Sequence, residues 1–444
     1  MKTTQKIILR DLGNGLVMRR SSAEDVDALS AFNGLIHGED EADTKRLGAW
    51  TRDLLTRQHP TFHADDFLIV EESSTGRIVS SMNLIPQTWS YEGIEFGVGR
   101  PELVGTLPEY RGKGLIRVQL DEIHKWCAER GLLVQAITGI PYFYRQFGYE
   151  MALDFVGRRV GYEAQVPKLK EGEKEKYIVR PAVEADLPFI ANLYERATQR
   201  HMMKCMRNLD VFQYEVFEQS RDAVHYFNTN VIEDPTGELV GYVQHSDYLN
   251  RAVSIAVWYE LKQGISWLDV TPSVIRYLWS TGKEYAKRDG GECTAFGFMG
   301  GAHHPVYQAL GRGLPTVHEP YAYQVRVPDL VAFLNHIKPV LEKRLAESVA
   351  AGHSREIKVS FYRDGLRIMI EKGKLSIEKW IPVPKDDEGD IAFPDHTFLQ
   401  MLFGYRSFEE LSTSFVECWW YGEDVRILMS ILFPKKLSDV FPIA

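Results

Sequence analysis

The order of apolar and polar residues along the chain predicts alternating strands and helices. Residues 16–37 pass from an apolar run through a Ser/Asp-rich stretch into an apolar stripe with helical spacing, which predicts a strand, a helix cap and an amphipathic helix. A second apolar stretch predicts a helix over residues 115–130. Further strands are predicted at Phe67–Glu71, Ile78–Leu84, Thr88–Phe96 (a pair around Glu92-Gly93) and Leu132–Ile137. This alternation predicts an α/β (α+β) fold with a mixed central sheet.

The same pattern occurs twice. Residues 177–198 repeat the strand, cap and helix of residues 16–37. In each copy an arginine follows the strand and an aspartate comes six residues later: Arg19 and Asp25, then Arg180 and Asp186. A second match, Tyr144–Gly148 with Tyr307–Gly311, occurs at nearly the same spacing. Two matches at one spacing predict an internal duplication.

A third unit follows the two copies. The charged segment Pro167–Lys176 predicts a solvated linker between the copies. From Pro328 the pattern changes to a helix over Asp329–Ala346, then strands at Ile357–Phe361, Leu366–Ile370 and Lys374–Glu378, then helices at His396–Phe403 and Ser407–Ser412 and an apolar segment at Val425–Phe433. The predicted units are therefore 1–166, 177–327 and 328–444.

Composition narrows the class of protein. The 444 residues are 44% hydrophobic and 25% charged, as in soluble globular proteins. No apolar run approaches the roughly 20 residues that span a bilayer, and residues 1–13 lack a signal-peptide profile. The four cysteines are far apart without metal-ligand spacing, which favours a reducing cytoplasm. A net charge of −9 argues against nucleic acid and is compatible with a cationic substrate.

Candidate chemistry centres on residues 103–120, which predict a strand, a basic glycine loop and a helix start. Arg111-Gly112-Lys113-Gly114 would present consecutive backbone N–H groups at the N-terminus of the helix that begins at Leu115. A helix N-terminus has unpaired amides and a partial positive charge, so this loop suits a phosphate or pyrophosphate. The loop lacks the features of a Walker A and of a dinucleotide-binding fingerprint.

This stretch resembles motif A of the Gcn5-related N-acetyltransferases (GNAT), although Glu109 stands where that motif usually has Gln or Arg. The resemblance implies that the loop binds the pyrophosphate of acetyl-coenzyme A while the strand edge pairs with its pantetheine arm. The implied cofactor-binding residues are Val104, Gly105, Thr106, Gly112, Lys113, Gly114, Leu115, Ile116, Arg117, Gly139 and Ile140. In the second copy the corresponding stretch, taken as Trp267–Arg276, has no such loop, so that copy is predicted to be degenerate and non-catalytic.

The whole layout resembles the enhanced intracellular survival (Eis) acetyltransferases. Besides motif A, the resemblance rests on Tyr144–Tyr149 and on the segment from Phe393-Pro394-Asp395 to Leu432-Phe433-Pro434. It implies tandem GNAT folds, a sterol-carrier-protein-like third domain, a homohexamer, and acetylation of primary amines such as those of aminoglycosides and lysine side chains. The aromatic residues of the third unit are predicted to form its core rather than a lipid cavity.

Transfer to an amine requires a base, an oxyanion donor and a donor to the leaving sulfur. By the resemblance, Tyr144 is the proton donor, with Tyr142 its nearest rival, and the carboxylate of Ala444 is the base. Glu102, at the strand edge, is the alternative base. The loop His37–Asp43, with four acids, is the predicted wall of the acceptor pocket.

Other readings stay open. A metal site is not predicted, because His303 and His304 are adjacent and have no partner at ligand spacing. The glycine loop is equally compatible with a non-catalytic acyl-coenzyme A or lipid binding protein, and with a transferase of larger acyl or aminoacyl groups. The physiological amine and the acyl preference are not predictable from the sequence.

Overall fold

The computed structural model describes residues 7–444, so the N-terminal residues on which the signal-peptide prediction partly rests lie outside it. Every helix in this part of the chain is too short or too polar to span a bilayer. The fold is α/β with mixed sheets, as predicted. The first unit contains β1 (Ile8–Gly13), β2 (Leu16–Arg20), α1 (Val26–His37), α2 (Glu41–Thr56), β3 (Phe67–Glu72), β4 (Ile78–Tyr91), β5 (Ile94–Thr106), α3 (Leu115–Glu129), β6 (Val134–Thr138), β7 (Glu150–Phe155) and β8 (Arg158–Tyr162).

The second unit repeats much of this order. It contains β9 (Ile178–Pro181), α4 (Leu187–Thr198), β10 (Met203–Cys205), α5 (Leu209–Gln213), β11 (Phe227–Glu233), β12 (Leu239–Ser246), β13 (Val253–Leu261), α6 (Trp267–Asp289), β14 (Ala295–Phe298), α7 (Pro305–Leu310), β15 (Thr316–His318) and β16 (Tyr321–Arg326). Trp267–Arg276 lies within α6, so the sequence alignment of the missing loop was wrong. The connection that corresponds to the glycine loop is residues 262–266.

The third unit packs helices against a four-stranded sheet. It contains α8 (Leu330–His336), α9 (Lys338–Ala346), β17 (Arg355–Ser360), β18 (Gly365–Glu371), β19 (Lys374–Trp380), β20 (Ile391–Ala392), α10 (Phe398–Leu402), α11 (Phe408–Ser414) and α12 (Glu423–Leu432). The single helix predicted over Asp329–Ala346 is broken at Ile337, and Pro339 lies in the first turn of the second helix, where proline is favoured. The core of the third unit continues into the first unit: the ring of Phe333 on α8 packs edge-on against Phe96 on β5, with 5.1 Å between the ring centroids.

The duplication is visible as a repeated ion-pair group. Arg19 on β2 binds both oxygens of Asp25, at 2.6 and 2.8 Å, and Glu71 on β3 at 2.6 Å. Arg180 on β9 binds Asp186 and Glu233 in the same way, each with a shortest distance of 2.7 Å. The arginine in each copy holds the start of a helix against two paired strands.

The two units contribute strands to each other's sheets: the second sheet contains β8, and the first sheet contains β16 and also β10, which pairs with β4. β8, from the first unit, lies between β14 and β15 of the second sheet. β16, from the end of the second unit, lies between β6 and β7 of the first sheet. Strand pairing therefore crosses the predicted boundary between the units in both directions, and each sheet needs residues of the other unit.

Candidate active site

The predicted anion loop connects β5 to α3. Gly112 and Gly114 both have left-handed φ angles, +75° and +76°, which favour glycine, and a Cβ on either would meet open space. Gly114 caps α3, so the first amides of the helix lack partners within it. Arg111 folds back to donate from Nε to the Thr106 carbonyl at 3.3 Å. A cavity of about 580 Å³ adjoins the loop at Lys113 and Leu115.

A bulge and a splay shape the end of β5. Its pairing with β4 shifts from Gly105–Ser81 to Glu102–Asn83, so one extra residue lies on β5, and Leu103 takes a φ of +51°. β5 pairs with the parallel strand β6 only at Val98 and Gly99, and beyond these residues the two strands separate. The result is a gap in the main-chain pairing of β5 and β6, here called the cleft, which the Thr138 hydroxyl bridges by donating to Glu102 at 3.3 Å.

The predicted cofactor-binding residues line the two sides of this cleft. Val104, Gly105 and Thr106 form the end of β5, Gly112–Gly114 form the loop, Leu115–Arg117 form the first turn of α3, and Gly139 and Ile140 follow β6. Gly105 must be small, because a Cβ there would lie 2.7 Å from Ile36 Cγ2. On the opposite side, the exchanged strand β16 fixes the backbone: the Tyr321 hydroxyl donates to the Gly139 carbonyl at 2.8 Å.

Tyr144 lies in a short 3-10 turn behind Gly139. Its ring is 95% buried, and its Cε2 lies 3.3 Å from the position of a Cβ on Gly139. Burial, with smaller contributions from Glu102 and Tyr321, raises the pKa of Tyr144 above the ordinary tyrosine value. Within residues 7–444 its hydroxyl forms no hydrogen bond. The rival Tyr142 is 76% exposed.

Glu102, the alternative base, is engaged with neighbours. Its Oε1 is paired with the guanidinium of Arg100 and accepts a hydrogen bond from the Thr138 hydroxyl at 3.3 Å. Arg100 is 97% buried, and its Nη1 also donates to the main-chain carbonyl of Ile443 at 3.2 Å. A buried polar link therefore joins Glu102, whose charge acts on Tyr144, to the C-terminal segment.

The three residues before Ala444 are held by their carbonyl oxygens. Arg207 donates to the carbonyls of Phe441 and Pro442, at 2.9 Å each. Gln87 on β4 donates to that of Ile443 at 2.6 Å, in addition to Arg100. Ala444 is 93% buried and belongs to the apolar cluster of the first unit, which also contains Tyr144.

Two open spaces flank this segment. A cleft of about 970 Å³, lined by residues 54–64 and 206–213, reaches Ile443. A much smaller cavity on the other side touches Ala444 and is walled by second-unit side chains, including Gln219, His225 and Trp258. The carboxyl end of the chain therefore lies at the junction of the first two units.

The predicted acidic wall is not an open loop. Glu41–Asp43 form the first turn of α2, where acidic side chains favour the helix dipole, and Asp40 caps that helix. Glu39, Glu41 and Asp43 pair with Arg251, Lys45 and Arg46 respectively. The prediction of a loop was wrong because it missed this cap, and the ion pairs leave the segment with little unbalanced charge.

The corresponding cleft of the second unit is filled. β13 and β14 separate after Ala256 and Phe298, as β5 and β6 do. Glu260, however, lies between the guanidinium of Arg200 and His304, whose Nε2 is 3.1 Å from the carboxylate. A cavity of only about 20 Å³ remains there, enough for one water molecule.

The hydroxyl of Tyr307, the counterpart of Tyr144, is hydrogen-bonded to the main chain. It accepts a hydrogen bond from the backbone N–H of Gly300 at 3.0 Å and donates to the Phe298 carbonyl at 2.9 Å. The histidine pair adjoins it: His304 caps α7, while His303 is exposed. Among the described residues, no group of three or more His, Cys, Asp or Glu side chains is arranged to hold a metal ion.

Sequence reasoning missed the residues that hold the C-terminal segment. Arg207, Arg100 and Gln87 lie 234 to 356 residues from the carbonyls that they bind. None stands in a motif, so no local signal could have identified them. Only the apolar character of the last residues indicated that this segment is docked.

Comparison with known proteins supports the reading of the first unit. Residues 18–152 match the family described as Acetyltransferase (GNAT) domain. No curated protein sequence is significantly similar to the chain.

Solved structures share the fold over almost the full length. A probable N-acyltransferase from Enterococcus faecalis V583 is 15% identical with a TM-score of 0.65, covering 96% of this chain and 99% of its own. A GCN5-related N-acetyltransferase from Anabaena variabilis is 12% identical with a TM-score of 0.63, at coverages of 96% and 99%. Eis1 from Mycobacterium abscessus is 12% identical with a TM-score of 0.58, at coverages of 97% and 99%. Residues 18–152 are thus similar to a GNAT acetyltransferase domain, and the fold of the whole chain is similar to those of these proteins.

Proposed function

We propose that the protein transfers an acetyl group from acetyl-coenzyme A to a primary amine, on a cationic small molecule such as an aminoglycoside or polyamine, or on a lysine side chain. The observation that carries the proposal is the burial of Ala444 in the apolar cluster that also contains Tyr144, with the preceding Ile443 bound by Arg100 on β5, one residue beyond the point where β5 and β6 separate. The GNAT match supports acyl transfer in general. The amine class rests on the resemblance to the Eis acetyltransferases and on the net charge of −9.

Binding of the donor would use the main chain. The amides at Gly112–Arg117 would hold the pyrophosphate, and the free edge of β5 at Val104–Thr106 would pair with the pantetheine arm. An amide at this strand edge would also donate to the oxyanion. The open space at Gly112 and Gly114 supports this role, because side chains there would block the approach of the phosphates.

The proton transfers would then fall to two groups. An ammonium with a pKa near 10 must lose a proton before it can attack, and the Ala444 carboxylate would accept that proton. The nitrogen–carbon bond forms, the carbon–sulfur bond breaks, and the Tyr144 hydroxyl gives its proton to the departing sulfur, to be replaced by the second proton that the nitrogen loses as it becomes the amide. Because its pKa is raised, Tyr144 stays protonated at neutral pH and is available as a donor.

The role of Ala444 can be tested by moving its carboxylate. Release of free thiol from acetyl-coenzyme A is measured with aminoglycosides, polyamines and lysine peptides, for the parent protein, for a variant lacking Ala444 and for Ala444→Gly. Deletion shifts the carboxylate by about 3.5 Å, so kcat should fall by about 100-fold or more. Ala444→Gly keeps the carboxylate in place and should retain activity, and calorimetry should show unchanged acetyl-coenzyme A binding in both variants.

Each other outcome has a definite meaning. If the deletion leaves kcat unchanged, the terminal base is wrong, and Glu102→Gln becomes the next variant to test. If the parent protein binds acetyl-coenzyme A without turning over any amine, the non-catalytic binding protein is the better description. The homohexamer, the sterol-carrier-like third unit and the cytoplasmic location remain predictions, of which sedimentation would test the first.

A further inference from the structure

The carboxyl group of Ala444 faces a histidine that the proposed mechanism does not use. His59 lies in the connection between α2 and β3, and its Nε2 is 3.4 Å from the main-chain oxygen of Ala444, which the proposed function makes part of the carboxylate. The ring is 95% buried and packs edge-on against Tyr214, with 4.7 Å between the ring centroids. The two residues are 385 positions apart, so the contact is created by the fold alone.

Hydrogen bonds fix the tautomer of this ring. Nδ1 accepts from the backbone N–H groups of Thr61 and Phe62, at 3.1 and 3.0 Å. Because Nδ1 accepts two hydrogen bonds it bears no proton, and burial, which lowers the pKa of His59, favours the same neutral imidazole. With the lone pair of Nδ1 occupied as an acceptor, the one proton of the imidazole resides on Nε2, which faces the carboxylate.

From this arrangement we propose that His59 is a positioning residue, which orients the Ala444 carboxylate as the base of the amine. The inference rests on the proposed function. Nε2–H would bind one carboxylate oxygen and leave the other to accept the proton of the ammonium. A neutral donor holds the anion without cancelling its charge, whereas a cationic partner would weaken it as a base.

The other contacts of the C-terminal segment separate anchoring from orientation. The carbonyls of Phe441, Pro442 and Ile443 are bound by arginine or glutamine side chains, which fix the main chain. The carboxyl group of Ala444 is instead bound by a neutral ring of determined tautomer.

The second unit contains a similar contact between a buried histidine and a carboxylate, but there the charge of the carboxylate is compensated. His304 Nδ1 accepts from the Val306 amide at 3.2 Å, and its Nε2 faces Glu260 at 3.1 Å. There the guanidinium of Arg200 also pairs with the carboxylate, so its charge is compensated. His304 is therefore a matched control: a histidine of the same tautomer on a buried carboxylate, in the unit without the glycine loop.

Two substitutions separate positioning from loop support. Asn in place of His59 can supply an acceptor near Nδ1 for the Thr61 and Phe62 amides but cannot reach Ala444. Gln can supply a donor near Nε2 but cannot cap those amides. If His59 positions the carboxylate, His59→Asn should lower kcat by about 10-fold or more, with an unchanged KM for acetyl-coenzyme A. His59→Gln should retain most of the activity, and His304→Gln should leave kcat within about twofold.

A second readout needs no substrate. With carbonyl-¹³C alanine incorporated, the terminal carboxyl carbon of Ala444 can be titrated by NMR. Loss of the donor in His59→Asn should raise the pKa of this carboxyl, and the acidic limb of kcat against pH should move upward by about one pH unit. His59→Gln should shift both readouts less.

The contrary results are equally clear. The inference is overturned if His59→Asn is as active as the parent while His59→Gln is impaired, because loop support would then be the role of His59. It is also overturned if the carboxyl titrates identically in parent and His59→Asn. If deletion of Ala444 leaves kcat unchanged, Ala444 is not the base, and the proposed function is wrong on this point before His59 is considered. If the deletion abolishes turnover while both His59 variants are normal, only the role of His59 has failed.

Discussion

The first two units share the features that make them fold and differ in the features that support chemistry. Both hold a helix against two strands through an Arg–Asp–Glu group, and both separate their central parallel strands at the same point. The first cleft adjoins a glycine loop, and the hydroxyl of its tyrosine, Tyr144, has no hydrogen-bond partner among residues 7–444. The second is closed by Glu260, Arg200 and His304, and its tyrosine is bonded to the main chain. The splay occurs in both units and is therefore scaffold, whereas the glycine loop and a tyrosine hydroxyl without a partner among residues 7–444 distinguish the candidate site.

Removal of one tyrosine hydroxyl from each unit should have the largest effect and should affect the two units differently. Tyr144→Phe should lower kcat for thiol release by about 100-fold, because the leaving sulfur loses its donor, while the melting temperature stays unchanged. Tyr307→Phe should do the reverse: kcat stays within about twofold, and the melting temperature falls because Gly300 and Phe298 lose a buried partner. Both are measured by kinetics and thermal unfolding. Equal kinetic effects would remove the distinction between the units.

A smaller effect is expected from glycines in the two loops. Gly114→Ala introduces a side chain at a left-handed φ and into the proposed phosphate site, so the KM for acetyl-coenzyme A should rise about 10-fold. Gly264→Ala, at φ +83° in the connection 262–266, carries a similar backbone cost. It should lower stability by about 1 kcal/mol without changing that KM. Calorimetric titration of acetyl-coenzyme A into each variant checks the difference, and a matched loss of affinity would contradict it.

The smallest effect concerns protons at the second cleft. Burial raises the pKa of Asp439 to about 7, with a further contribution from Asp154, against about 4 in an unfolded chain. Between these pH values the folded protein binds more protons than the unfolded one, so stability falls as pH rises from about 4 to about 7. Asp439→Asn keeps an acceptor for the Val156 amide and removes this loss.

The variant should therefore melt about 2 °C above the parent at pH 8, and the gain should shrink as the pH approaches 4. Thermal unfolding at a series of pH values measures it. Glu92→Gln is a suitable control, because its pKa is lowered despite burial, through Lys436 and Arg344, and its effect on stability has the opposite sign. A gain that does not depend on pH would show that titration of Asp439 is not its cause.

Local patterns predicted much of the fold and part of the site. Strand and helix positions, the glycine loop and the paired Arg19 and Arg180 all follow from residues near one another in sequence, where turn chemistry and side-chain periodicity act. The exchange of β8 and β16 could not be predicted, because a strand carries little information about which distant strand it will join. The same holds for His59 and Arg207, whose partners lie hundreds of residues away.

The exchanged strands also impose an order on folding. β6 and β7 cannot be joined into one sheet until β16 is available, and β16 is made after the whole second unit. During synthesis, the edges of β6 and β7 that later pair with β16 therefore stay unpaired until about 170 more residues have been made after β7. Such long-range pairings fold slowly and leave edges prone to aggregation in the meantime. Once both strands are in place, neither unit can open its sheet without disturbing the other, so the pair should unfold as one cooperative body.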